Sequence, residues 1–251
     1  MANISDTYGP SASGKPLAGH VALVTGSSRG IGKAIAMKLA ELGSAVALCG
    51  RDAQRLEATA REIRELPSPV FSQTADVTNA AEISSLVHAC EQSLGPITLL
   101  INNAGIGNPG FGPAHEKSEG DWDRVLDTNL KGVFLVTRAV VPLMIQRRRG
   151  DIINISSLAG KNTFAGGGLY CASKWGLQGL TGCMAEDLRG YGIRVSVICP
   201  GSVFTDFSGR GPKDPAKVLS AEDVAHAVAM LALQGPQSFI SEVHLRPISK
   251  P

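Results

Sequence analysis

A strict alternation of short apolar runs with longer amphipathic stretches limits what this chain can fold into more than any other feature. Residues 21–24, 45–48, 99–101, 152–155 and 195–198 are near-continuously apolar, as strands buried on both faces must be, and 70–75 is a weaker sixth run. Between the first two, Ile31, Ile35, Leu39 and Leu42 form one helical stripe ending at Gly43, the usual residue just past a helix C-terminus. Similar stripes cover 52–65, 79–93, 121–147 and 173–189. Such alternation predicts a parallel sheet with right-handed crossovers and helices on both faces.

With 251 residues, the chain has room for one large α/β domain with a well-buried core. Residues 1–17, rich in Ser, Gly, Pro and Asn, have no apolar period and read as a flexible extension. Residues 18–251 read as a single domain without repeat or linker. A net charge of +2 gives no reason to expect nucleic acid or an anionic membrane as partner. No apolar stretch reaches the ~20 residues of a transmembrane helix, and the N-terminus lacks the basic start and apolar core of a secretory signal. The five cysteines are scattered, with no Cys-x-x-Cys pair, which predicts reduced thiols in a cytoplasmic protein. The histidines are equally dispersed, so no metal site is expected.

The first apolar run leads into Thr25-Gly26-Ser27-Ser28-Arg29-Gly30-Ile31-Gly32, and a helix follows at once. Glycines here let the backbone approach a diphosphate, and a helix N-terminus offers unpaired N–H groups and a positive dipole end. A glycine-rich stretch alone is often a tight turn; between a first strand and a first helix it favours a dinucleotide and a Rossmann-type, doubly wound sheet. NAD-selective sheets of this type end their second strand in an acid that holds the ribose 2′-hydroxyl. Here that strand ends Cys49-Gly50-Arg51, and Arg29 adds a second cation. Two guanidinium groups suit a 2′-phosphate and predict NADP(H). The alternative is that both are solvated surface residues, with Asp52 compensating Arg51.

Tyr170 and Lys174 stand at i and i+4, one turn apart on a helix face, with Ser157 thirteen residues before the tyrosine. A phenol titrates near pH ~10 in water. A fixed positive charge beside it favours phenolate and makes a useful general acid/base.

Together, the Gly-x-x-x-Gly-x-Gly spacing and the Tyr-x-x-x-Lys pair make residues 18–205 resemble the short-chain dehydrogenase/reductase family. Further matches follow in the family's order: Asp76-Val77 after the third strand, Asn102-Asn103-Ala104-Gly105 after the fourth, Asn129 within Asp127-Thr128-Asn129-Leu130-Lys131-Gly132, and Pro200-Gly201-Ser202-Val203-Phe204-Thr205 after the sixth. The resemblance implies a sheet of about seven strands, with the seventh from 240–247, and a catalytic set of Asn129, Ser157, Tyr170 and Lys174. It implies that Gly26, Ser28, Arg29, Gly30, Ile31, Gly32, Arg51, Asp76, Val77, Asn103, Tyr170, Lys174, Val203 and Thr205 hold the cofactor. Asn129 is implied to act through a water beside Lys174, from within a kinked helix. Ser156 is the rival of Ser157, which the offset to Tyr170 favours.

Among relatives, the chain looks most like 3-oxoacyl-acyl-carrier-protein reductases. That implies reduction of a carbonyl to a secondary alcohol, a 3-oxoacyl thioester as substrate, acyl carrier protein as a partner, and a homo-oligomer (tetramer or dimer). Arg147-Arg148-Arg149 and Arg189 match the family's basic carrier-docking sites, whereas Tyr191 stands where those enzymes often have arginine. The segment after Thr205 to Ser220 is short for a lid and suggests an open pocket. A sugar, polyol or cyclic-alcohol dehydrogenase is the alternative within the family, and a non-catalytic dinucleotide sensor is the alternative outside it.

Overall fold

The computed structural model describes residues 14–110, 112–205, 207 and 214–249. Strands β1 (Val21–Thr25), β2 (Ala45–Gly50), β3 (Val70–Thr74), β4 (Leu99–Asn102), β5 (Gly150–Ile155), β6 (Ile193–Pro200) and β7 (Glu242–Leu245) form one seven-stranded sheet. Their order is β3-β2-β1-β4-β5-β6-β7 and every pairing is parallel. The order reverses between β1 and β4, which opens a crevice at the carboxyl ends of the strands, the usual ligand position in such sheets. All the expected strands form, including the weaker third and the seventh.

The sheet is buried on both faces because its strand residues are apolar on both. Leu23 points into a core with α3 (Ala80–Leu94), α5 (Gly132–Arg147) and α6 (Gly168–Arg189). Its neighbour Val24 points into the opposite core with α1 (Gly30–Glu41), α2 (Ala53–Arg64) and α7 (Ala221–Ala232). Each such fully buried side chain contributes about 1.5–3 kcal/mol, and together they keep the crevice from deforming.

Local caps fix where the helices start. Asp52 caps α2 by accepting from the Arg55 amide, and Asn79 caps α3. Asp52 is therefore a cap rather than a counter-charge for Arg51. Ser118 caps α4 (Glu119–Leu126), which runs through a π-helical turn, Asp127–Lys131, into α5. The single helix expected at 121–147 is thus interrupted by the turn that carries Asn129.

Several expectations need correction. Leu17 lies within the expected flexible extension but is 1% exposed, and its amide donates to the Leu42 carbonyl at 2.9 Å. Residues 1–13 of that extension lie outside the described residues. Helix α6 starts at Gly168, ahead of the apolar period that marks 173–189. Helix α7 was not anticipated, although Ser220 and Asp223 form a capping box before Val224, Val228 and Leu231. The helix running from Glu119 to Arg147 is 29 residues long and apolar enough, by length and composition, to cross a membrane. Here Val136, Val140 and Met144 pack it on the sheet. Finally, pairing of Cys199 on β6 with His244 on β7 assembles a group of potential metal ligands with Glu242, where the linear sequence offers none.

Candidate active site

The carboxyl ends of the strands open onto a cleft of about 1540 Å³. Gly26, Ser28, Arg29, Gly30, Ile31, Gly32, Arg51, Asp76, Val77 and Asn103 line it, with Thr205 against Gly30, and so do Ser157, Tyr170, Lys174 and Val203. Every residue expected to bind or react lies on that wall except Asn129, which sits one layer behind it and is fully buried.

The turn after β1 is held by close backbone approach. Gly26 adopts φ 65°, and a Cβ on Gly32 would lie 2.2 Å from the Gly26 carbonyl oxygen, so only glycine fits both positions. The Asn103 carboxamide donates to the carbonyls of Thr25 and Gly26 at 2.9 and 3.1 Å. Thr25 Oγ1 accepts in turn from the amides of Asn103 and Ala104, each at 3.0 Å. These bonds tie the ends of β1 and β4 together. Asn103 therefore shapes the cradle through the turn backbone. The Arg29 N-cap makes no side-chain cap bond at the start of α1, and Arg29, Gly30, Ile31 and Gly32 line the cleft, an arrangement suited to an anion.

Beside the cradle, Arg51 pairs with Asp76 at 3.6 Å, with the arginine side chain 69% exposed. Burial opposes charge on Asp76. The Thr78 amide and hydroxyl, at 2.9 and 2.8 Å, and the Arg51 guanidinium outweigh it and hold the carboxyl below its usual range. A pair this exposed contributes at most about 1 kcal/mol. It leaves Arg51 able to turn toward a more highly charged anion.

Helix α6 presents Tyr170 and Lys174 to the same cleft. The Lys174 ammonium is buried, donates to the Ile155 carbonyl at 3.0 Å and lies 5.8 Å from the Tyr170 ring centroid. Burial pulls its pKa down from the ordinary 10.5 to about 8. Ser157 is half-buried at the cleft wall, and its hydroxyl accepts from the Ala159 amide at 3.1 Å. Ser156 also lines the cleft but is buried, and it accepts from Gln178 at 2.9 Å.

Asn129 is held within the π-helical turn. Its Oδ1 accepts from the Ile106 amide at 2.8 Å, and its Nδ2 donates to the Ile106 carbonyl at 2.9 Å and to Ser173 Oγ at 3.0 Å. With both amide hydrogens used, the side chain locks the loop after β4 to α6, one residue before Lys174. Cys171 is buried, with its thiol toward the Asn162 carbonyl at 3.8 Å, and is a packing residue.

Other contributors escaped the sequence reading. Asn108 donates to the Gly166 carbonyl at 2.5 Å and accepts from the Tyr170 amide at 3.3 Å, and so fixes the start of α6. The only local signal was Asn108-Pro109 after glycine, a turn signature without chemical content. Leu158, Phe164, Phe204 and Phe207 give the cleft an apolar wall, with the Phe207 ring edge-on to Tyr170 at 6.1 Å between centroids. Residues 206 and 208–213 of the short segment after Thr205 lie outside the described residues.

The arginine run is occupied by the fold itself. Arg147 makes two 2.7 Å bonds to Glu91, Arg148 donates to the Gly190 carbonyl at 3.0 Å, and Arg149 lies 3.1 Å from His20 Nε2. Arg189 pairs with Glu186.

Comparison with known proteins agrees with this geometry. A family model described as "short chain dehydrogenase" matches residues 20–215. The NADP-dependent 3-hydroxy acid dehydrogenase of Salmonella typhi is 36% identical over 92% of this chain and 96% of its own. The 3-oxoacyl-[acyl-carrier-protein] reductase of Thermotoga maritima is 38% identical over 78% of this chain and 79% of its own. A metagenomic short-chain oxidoreductase solved in complex with NADP superposes with a TM-score of 0.82 at 45% identity, covering 92% of this chain and 98% of its own.

The buried ammonium has a pH signature. Between pH 8 and 10.5 the unfolded chain carries a proton on Lys174 that the folded chain has released, so this group makes stability rise with pH across that window. Lys174→Met removes the contribution. Denaturant titrations at pH 7 to 10 should show the variant's stability relative to the parent falling as pH rises through the window; parallel curves contradict the assignment.

Proposed function

The chain belongs to the short-chain dehydrogenase family and is an NADP(H)-dependent oxidoreductase, and we propose that it reduces a 3-oxoacyl thioester to the secondary alcohol. The observation that carries the reading is one cleft lined both by the glycine turn and by Ser157, Tyr170 and Lys174.

The residues present fit the dinucleotide. The Gly26–Gly32 approach packs the turn backbone tightly against the start of α1, and the Arg29 N-cap makes no side-chain cap bond there. Arg51, with no acid ending β2, is the group to take a 2′-phosphate, assisted by Arg29 at the mouth. Val203 and Thr205 are placed by the bridge from Val203 to Leu219, and Thr205 stands opposite Gly30. When bound, the nicotinamide supplies hydride to the carbonyl carbon.

The chain's own groups handle the proton. Negative charge develops on the carbonyl oxygen as reduction proceeds. The Ser157 hydroxyl donates a hydrogen bond to that oxygen, and the Tyr170 hydroxyl donates and then transfers its proton. Lys174, charged below about pH 8, favours the resulting phenolate electrostatically. Asn129 keeps Lys174 in place by fixing Ser173 and the Ile106 loop.

The thioester reading rests on the apolar wall of Leu158, Phe164, Phe204 and Phe207, which suits an acyl chain better than a polyol. The resemblance to the Thermotoga reductase over most of the chain supports it too. Because Arg147, Arg148 and Arg149 are engaged within the fold, a free or coenzyme-bound thioester is favoured over docking of a carrier protein at that run. Self-association is part of the proposal. The apolar helical run from Glu119 to Arg147 leaves Trp122 and Phe134 exposed for a second copy of the chain. A cytoplasmic setting is proposed from the five unpaired thiols.

NADPH consumption measured with acetoacetyl thioesters, quinones, diketones, keto sugars and ketosteroids should give the highest kcat/KM with thioesters. Tyr170→Phe should lower kcat by about 10²–10⁴-fold while NADPH still binds. Inactivity with thioesters and turnover of another class would overturn the substrate assignment. For the cofactor, Arg51→Asp should weaken NADPH much more than NADH in fluorescence titrations; equal losses contradict the 2′-phosphate contact.

A further inference from the structure

We propose that Cys199, Glu242 and His244 form a binding site for a soft divalent cation, zinc in first place, at the outer end of the β6–β7 ladder. The donors converge on one carboxylate oxygen. Cys199 Sγ is 3.5 Å and His244 Nε2 is 2.9 Å from Glu242 Oε1, and all three ligand atoms lie within 4.8 Å of one another. Donors around a tetrahedral zinc ion, with bonds of about 2.0–2.3 Å, stand roughly 3.3–3.6 Å apart, so small side-chain shifts bring the set into range. Thiolate, imidazole and carboxylate together favour zinc over magnesium or calcium, which prefer all-oxygen sites.

The surroundings fit a metal site. Cys199 and His244 are register partners on parallel strands, so the rigid sheet fixes their spacing. Gln178 Nε2 donates to Cys199 Sγ at 3.1 Å, the kind of outer bond that stabilises a metal-bound thiolate. β7 is the edge strand and His244 is exposed, which provides an entry path and leaves a fourth position for water. Lys161 now holds the cation position, 2.8 Å from the same Glu242 oxygen, and is the group a metal ion must displace. None of the three ligands lines the cleft, so the site is separate from the reductase chemistry. It nevertheless touches its frame, since Gln178 also bonds Ser156 and Lys161 closes the turn that follows Ser157.

The test is calorimetric titration of untagged, chelator-stripped full-length protein with zinc chloride, repeated with cobalt to read a thiolate charge-transfer band. One ion should bind per chain. Cys199→Ser and His244→Ala should each weaken binding more than about 100-fold, and the cobalt band should disappear in Cys199→Ser. Lys161→Met should tighten binding several-fold. Because His244 is exposed, its variant should fold, with retained NADPH binding as the check. Zinc binding that survives Cys199→Ser but is lost in Cys183→Ser, the variant at the exposed thiol, overturns the proposal, as does no binding to the parent.

Discussion

A positive charge kept out of water is the constraint on which the rest of the molecule turns. The Lys174 ammonium hydrogen-bonds the Ile155 carbonyl and is 3% exposed. Burying an ion costs several kcal/mol even after the protein relaxes, so the site persists only where the backbone cannot rearrange to hydrate it. The two apolar cores supply that resistance. β5 is buried along its whole length, and α6 is packed through Leu177, Ala185 and Leu188. Asn108 and Asn129 then pin the start of α6 to the loop after β4, so the phenol and the ammonium keep their places on the cleft wall.

The same sheet ends fix the glycine turn of the cleft. Asn103 and Thr25 join β4 to β1 at the point where the strand order reverses, and the Gly26–Gly32 approach sets the phosphate turn against that joint. The proposed cofactor cradle and proton donor are thus two features of one rigid edge. A reaction between them needs little reorganisation, which is the condition under which fixed dipoles and charges lower a barrier most.

Much of this was legible in the sequence because it is local. Strands apolar on both faces, a glycine turn between the first strand and helix, and a tyrosine one turn before a lysine each announce themselves within a few residues. What stayed hidden depends on contacts distant along the chain. Asn108 reaches Tyr170 across 62 residues, and Cys199 meets Glu242 across 43, through strand pairing no spacing rule encodes. Helix α7 was missed although both its capping box and its stripe of Val224, Val228 and Leu231 are local. The aromatic wall is built from separate loops around Phe164, Phe204 and Phe207, so its apolar character appears only in three dimensions.

The central claim is that this cleft carries a carbonyl to the alcohol by transfer from NADPH, with Tyr170 supplying the proton. Turnover of acetoacetyl thioester with NADPH deuterated at the nicotinamide C4 tests it most directly, read by mass spectrometry and proton NMR of the product. The account predicts one deuterium on the new carbinol carbon, delivered to one face, and a hydroxyl proton taken from solvent. Product free of deuterium from cofactor labelled on either face, or label scrambled with solvent, would contradict it.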